Sequence, residues 1–247
     1  MEGVIRVPLA PIRSEPSDRA EMVTQALFGE QVQLEPIEGQ LNWYSVTLGQ
    51  DGYRGFIDPK LVDGSPDAVA AFQEACHVLP APLTAIEWGS RHLHLPAGSR
   101  IPRAAMPEYS TGAPSGILDA ALQFLGAPYL WGGKSILGMD CSGLTQLTGQ
   151  LCGVNIPRDA NLQWDHSSNK RPSFSALENG DLVFFHKEGS NAVTHVGLAI
   201  CSLKNERQII HASGEVRIDD LTPQGILRDG QLTHLWTGAS GWPFNVE

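Results

Sequence analysis

The sequence predicts an α+β fold in its second half, preceded by one or more small all-β barrels. Three observations carry this. Short, glycine-broken β-rich stretches fill the first sixty residues, two helical apolar patterns follow Ser115, and beyond Asn179-Gly180 the apolar period shifts towards two. Two helices followed by a run of strands is an α+β plan.

Residues 23–27, 31–35, 43–48 and 52–57 are β-rich and are separated by Gly29, Gly39 and Gly49. Strands this short and closely spaced predict a small barrel. Residues 21–62 also resemble the bacterial SH3 type of domain. The matching features are a glycine-centred turn, the aromatic pair Trp43-Tyr44, and a closing GYRGFI where that family has Gly-Trp-Ile.

Residues 64–112 read as a linker or a degraded second SH3-like unit. GSPDAVAAFQEACHVLP offers one or two helical turns, and LTAIEWGSRHLHLPAGSRI alternates weakly. On a strand, His92 and His94 would share a face. With no third ligand nearby, a surface strand is the expectation there, and no metal.

SGILDAALQFLG places Ile117, Leu118, Ala121, Leu122 and Leu125 at helical spacing and stops at Gly126. A second helix starts at Asp140, a good N-cap, and carries Leu144, Leu147 and Leu151 on one stripe before Gly153. DLVFF, THVGLAI, RQIIHASG, EVRIDDL and THLWTGA then read as strands of an antiparallel sheet. The expected domains are therefore 1–63, 64–112 and 113–247.

Composition excludes several classes. The 247 residues carry 17 basic and 27 acidic side chains, a formal net charge of −10. That argues against nucleic acid and anionic lipid as partners, both of which need a basic footprint. No apolar run reaches the roughly 18 residues of a transmembrane helix. The N-terminal MEGVIRVPLAPIRSEPS has an early acid, three prolines and no apolar core, unlike a signal peptide. Four cysteines, Cys76, Cys141, Cys152 and Cys201, are too sparse for a disulfide scaffold. The expectation is a soluble, cytoplasmic protein with reduced thiols.

Cys141 is the informative cysteine. It follows Asp140 and so falls in the first turn of a helix, where unpaired N–H groups and the helix dipole favour a thiolate. Cys152 near the end of that helix and Cys201 at the end of an apolar strand read as packing residues. A nucleophilic cysteine needs a base. In THVGLAI, His195, Gly197 and Ala199 alternate against Val196, Leu198 and Ile200, so His195 shares its face with small residues. That leaves room for a substrate or a facing helix. His211 lies in the next strand. Adjacent antiparallel strands can bring the imidazoles together, one as base and one holding its tautomer. They can equally be two polar residues at a sheet edge, and spacing alone does not separate these readings.

The motifs go further. DCSGL at 140–144, THVGLAI at 194–200 and HASG at 211–214 resemble the signature of the NlpC-type cysteine peptidases of bacterial cell-wall peptides. PYLWGG at 128–133, IPRDA at 156–160 and GDLVFF at 180–185 match the same family in the same order. The resemblance spans roughly residues 115–245. It implies a papain-like α+β core with Cys141 as nucleophile, His195 as general base and His211 orienting His195. No metal or organic cofactor is implied.

EMVTQ and DGY in the first segment, with PYLWGG and RDA, resemble the dipeptidyl-peptidase VI-like branch. Its members are γ-D-glutamyl-L-diamino acid endopeptidases. The implied substrate is a murein tripeptide or tetrapeptide with a free N-terminal L-Ala, cut after γ-D-Glu. No obligate protein partner is implied. By the same resemblance, Tyr129 and Trp131 would line the cleft, and Asp140 and Ser142 flank the nucleophile, Asp140 being available to a substrate ammonium. Arg158 and Asp159 would contact the D-Glu α-carboxylate and the peptide. Tyr53 and Glu21 are the candidates for SH3-side contacts. Ala160 stands where the family often has Ser, so one substrate hydrogen bond is lost or moved. The alternative within enzymes is an exported hydrolase of intact peptidoglycan, and the N-terminus favours recycling of imported murein peptides.

Overall fold

The computed structural model describes residues 1–105, 112–202 and 206–242. They form two compact units, Met1–Ala113 with Trp131–Ile136, and Pro114–Leu130 with Leu137–Glu247.

In the first unit, β1 (Glu2–Ile5), β2 (Leu9–Arg13), β3 (Met22–Leu27), β4 (Gln31–Ile37), β5 (Gln40–Leu48), β6 (Arg54–Ile57) and β7 (Val62–Asp63) make one seven-stranded sheet, ordered β3-β2-β6-β5-β4-β1-β7. Alternation decides which side chains enter it. In β4, Val32 and Leu34 are buried while Gln31, Gln33 and Glu35 are exposed. With Ile5, Ile12, Val46, Leu48 and Ile57 they form the core. β3 to β6 fall on the expected stretches. β1 and β2 add to them: the prolines in VPLAPIR break the run that would mark a strand. Gly55 is required where β6 crosses β2, because a Cβ there would lie 2.8 Å from the Arg13 carbonyl oxygen.

Residues beyond β7 build a second core in the same unit. α1 (Pro66–Gln73), capped by Ser65, is followed by β8 (Cys76–Val78), β9 (Leu83–Trp88), β10 (Arg91–Pro96) and β11 (Arg100–Pro102). They pair as two two-stranded sheets, β10-β9 and β11-β8. Phe72, Leu79, Ile86, Leu93, Leu95 and Ile101 pack with Val4 and Phe28. His92 and His94 do share an exposed face of β10, and His92 Nδ1 lies 2.6 Å from Glu87 Oε1.

Chain order continues with α2 (Ile117–Leu122), β12 (Lys134–Ser135), β13 (Gly138–Met139), α3 (Cys141–Leu151) and α4 (Ala160–His166). Then come β14 (Leu182–His186), β15 (Val193–Cys201), β16 (Arg207–Ser213), β17 (Glu215–Thr222), β18 (Gly225–Arg228) and β19 (Gln231–Ser240). The last six strands close into a barrel. The four-residue β18 is too short to show a period in sequence, yet it links β17 to β19 and so closes the circuit.

Two expectations are corrected here. The helix after Ser115 ends at Leu122, so residue 125 is off its face. The buried side is Ala120, Ala121 and Phe124, while Leu122 and Leu125 remain 40% and 45% exposed. The small-residue face of β15 is also not open space. His195 pairs with Phe185 and Gly197 with Val183, and Ala199 joins Val183, Phe185, Ile209 and Leu221 in one core. That face is the filled inside of the barrel. Val196 and Leu198 on the other face are fully buried too, and α3 and α4 pack against β15.

Candidate active site

Local chemistry places Cys141 at the start of α3. Asp140 has extended backbone, and its Oδ1 accepts from the Gly143 N–H at 2.7 Å. Cys141 is thereby the first helical residue, and it is only 7% exposed. Arg158 holds the cap from beneath. Its Nη1 donates to Asp140 Oδ1 at 2.9 Å and its Nη2 to Asp140 Oδ2 at 2.7 Å, a two-pronged ion pair. Nη1 also donates to Ser142 Oγ at 2.9 Å, and Ser142 Oγ lies 3.3 Å from Asp140 Oδ1.

Both charges of this network have a partner inside the protein. Arg158 is 2% exposed, and its guanidinium grips both oxygens of Asp140. Two opposite charges beside the nucleophile satisfy each other, since a buried charge without a partner is costly.

Burial works against the thiolate that the helix terminus favours. Burial first, then the neighbouring Asp140 charge, pushes the Cys141 thiol up to about 11. Hydrogen bonding from the Val196 and Ser142 N–H groups and the charge of Arg158 oppose this only in part. The helix terminus is present, but desolvation outweighs it.

The histidines lie on the inward rows of the barrel. β15 and β16 pair with Gly197 opposite His211, which sets the imidazoles diagonally on one face. His195 Nε2 is 2.8 Å from His211 Nδ1, and His211 Nε2 is 3.0 Å from Asp219 Oδ2 on β17. Arg217 closes the row with Nε 3.0 Å and Nη2 2.9 Å from Asp219 Oδ1. Burial works to raise the Asp219 carboxyl, but the Arg217 and His211 hydrogen bonds win and hold it below its ordinary value. An ionised Asp219 accepts only, so His211 Nε2 carries a proton and donates to it. His211 Nδ1 is then the acceptor, His195 Nε2–H donates to it, and His195 Nδ1 is left as the free base.

Burial, then the charges of His211 and His234, holds His195 well below the usual imidazole range. Burial lowers His211 as well, against the opposing hydrogen bond to Asp219. Burial thus favours the uncharged form of the thiol and of both imidazoles.

The remaining candidates are spread over both units. Tyr129 hydrogen-bonds Gly214 O through its backbone N–H at 2.9 Å. Burial, followed by the charges of Cys141 and Asp140, pushes its phenol up to about 12. Trp131 belongs to the first unit, is 60% exposed, and donates its indole N–H to the exposed Glu21. Tyr53 packs against the first unit's core, and its backbone N–H donates to Asp51 Oδ1 at 2.9 Å. Asp159 is the half-buried N-cap residue of α4, with Ala160 buried behind it.

Sequence reasoning missed Asp219, Arg217 and His234. The first two had a signal. Ser213-Gly214-Glu215 is a tight hairpin, and its register sets His211 opposite Arg217 and Ile209 opposite Asp219. His234 had none, since β19 reaches β14 and β15 only because the barrel closes.

A buried cysteine at a helix start and an ordered imidazole pair on neighbouring strands are what a cysteine peptidase of the papain-like kind requires. The chain belongs to the NlpC/P60 family. The NlpC/P60 family description matches residues 126–229, and the bacterial dipeptidyl-peptidase SH3 domain matches residues 12–60. It is 32% identical over 207 residues to the γ-D-glutamyl-L-lysine dipeptidyl-peptidase of Bacillus subtilis (strain 168), covering 72% of this chain and 69% of that one. Dipeptidyl-peptidase 6 of Lysinibacillus sphaericus is 25% identical, with 91% and 93% covered. In fold, the chain is similar to the crystal structure of an NlpC/P60 family protein from Bacillus cereus ATCC 10987. The TM-score is 0.79 at 20% identity, over 98% of this chain and 99% of that one.

Proposed function

We propose that the protein cleaves the bond between γ-D-Glu and the diamino acid of murein peptides bearing a free N-terminal L-Ala, releasing L-Ala-γ-D-Glu. Cys141 is the nucleophile, His195 the general base and His211 the residue that orients His195. The observation that supports this best is the 2.8 Å contact between His195 Nε2 and His211 Nδ1, anchored by Asp219. It leaves His195 Nδ1 as the proton acceptor. The relatives' names supply the bond, and "dipeptidyl-peptidase" denotes release of two residues from a free N-terminus.

In this reading the Cys141 proton passes to His195 Nδ1 as sulfur attacks the γ-carbonyl carbon of D-Glu. The oxyanion meets the Cys141 backbone N–H, which has no intrahelical acceptor in the first turn. The C–N bond then breaks, the His195 imidazolium protonates the departing amine, and a thioester remains. His195 next takes a proton from water, hydroxide attacks the thioester, and the dipeptide leaves as the thiol is restored. The pairing of a neutral thiol with a neutral imidazole means that charge is created only as the reaction proceeds.

Mass spectrometry of products from L-Ala-γ-D-Glu-L-Lys, its meso-diaminopimelate counterpart and their N-acetylated forms tests the reading. Free peptides are cut and acetylated ones are not, while Cys141→Ala is folded and inactive. Equal cleavage of acetylated peptides or intact sacculi overturns the free-amine requirement, and an active Cys141→Ala overturns the nucleophile.

A further inference from the structure

We propose that His234 is a positioning residue for His195, its ring laid against one face of the base so that water reaches that face less and the imidazole keeps its orientation. The proposal rests on the reading of His195 as general base. The two rings are stacked, with centroids 4.2 Å apart and planes inclined by 27°. His211 meets the same base edge-on, at 5.0 Å and 87°. His195 is thus held by two rings at right angles in function, one through a hydrogen bond along its edge and one across its face.

The stacking ring is itself fixed. Its backbone is set in β19, where His234 pairs with Ile226 of β18 and Leu235 with His186 of β14. The Thr233 hydroxyl donates to Ile226 O at 3.3 Å, so at the 3.0 Å contact with His234 the ring's Nδ1–H is the donor. That settles both tautomer and ring angle. Phe185 of β14 stands edge-on to it with centroids 6.3 Å apart.

The ring also stays uncharged, which a face-to-face partner of an imidazolium must do. The titratable groups around it are His195 on β15, His211 on β16, Asp219 on β17 and Lys187 just past β14. Burial, then His211 and Lys187, pushes His234 down to about 4, with only Asp219 opposing. Through the pH range in which a cysteine peptidase turns over, His234 is a neutral aromatic surface.

Two measurements test this on the full-length protein. Imidazole NMR titration of His195 does not depend on turnover. In His234→Ala its midpoint moves to higher pH, because water reaches the exposed face and lightens the desolvation that holds the imidazole down. In His234→Phe it does not rise. Steady-state kinetics on the free murein tripeptide give a kcat about tenfold lower or more in His234→Ala, with KM little changed and the acid limb of kcat/KM moved to higher pH. His234→Phe, which keeps the stack, returns kcat to within about threefold of wild type. An unmoved His195 titration in His234→Ala overturns the proposal, as does a Phe variant as slow as the Ala variant. A wild-type protein that leaves every murein peptide uncut refutes the proposed function instead, and the NMR titration still decides the role of His234.

Discussion

His211 Nε2 lies 3.0 Å from Asp219 Oδ2, and this contact dictates which nitrogen of His195 is free. A carboxylate that Arg217 keeps ionised can only accept, so it fixes a proton on His211 Nε2. The next imidazole must then donate into His211 Nδ1. Asp219 determines the protonation pattern of the site from two residues away.

Asp219→Asn therefore reduces kcat by about 10- to 100-fold with little change in KM. The carboxamide can donate to His211 Nε2, which permits the reversed tautomer and puts a proton on His195 Nδ1. Steady-state kinetics on the free tripeptide check this, and an unchanged kcat contradicts the tautomer chain.

Arg158→Leu leaves the Asp140 carboxylate buried without its cation. Breaking a buried pair in this way costs about 3–5 kcal/mol. Denaturant unfolding at neutral pH measures it. The double variant Arg158→Leu/Asp140→Asn recovers part of the loss, because the stranded charge is gone while the amide can still accept from Gly143. A stability loss in the double variant equal to that of the single one contradicts the account.

The resting thiol gives a third outcome, in alkylation against pH. With Cys141 raised to about 11, its thiolate fraction grows as pH rises and is minor near neutrality. Iodoacetamide labelling of Cys141, followed by peptide mass spectrometry, then accelerates about tenfold per unit from pH 7 to 10. A plateau already reached below pH 7 would mean a preformed thiolate–imidazolium pair, contrary to the burial of both groups.

The sequence by itself determined many of the elements and the placement of the candidate nucleophile and imidazoles on them. Asp140 as cap, Cys141 as first helical residue and His195 and His211 on neighbouring strands follow from spacing, because capping and period-two alternation are local rules. The hairpin after His211 carries its register in Ser213-Gly214-Glu215. Tertiary structure decided three things that local rules do not reach. Closure of the barrel through the short β18 brought His234 onto His195. Packing of α3 on β15 desolvated Cys141 enough to override its favourable helix terminus. Folding also brought Arg158, eighteen residues on, against Asp140, where each buried charge gives the other a partner.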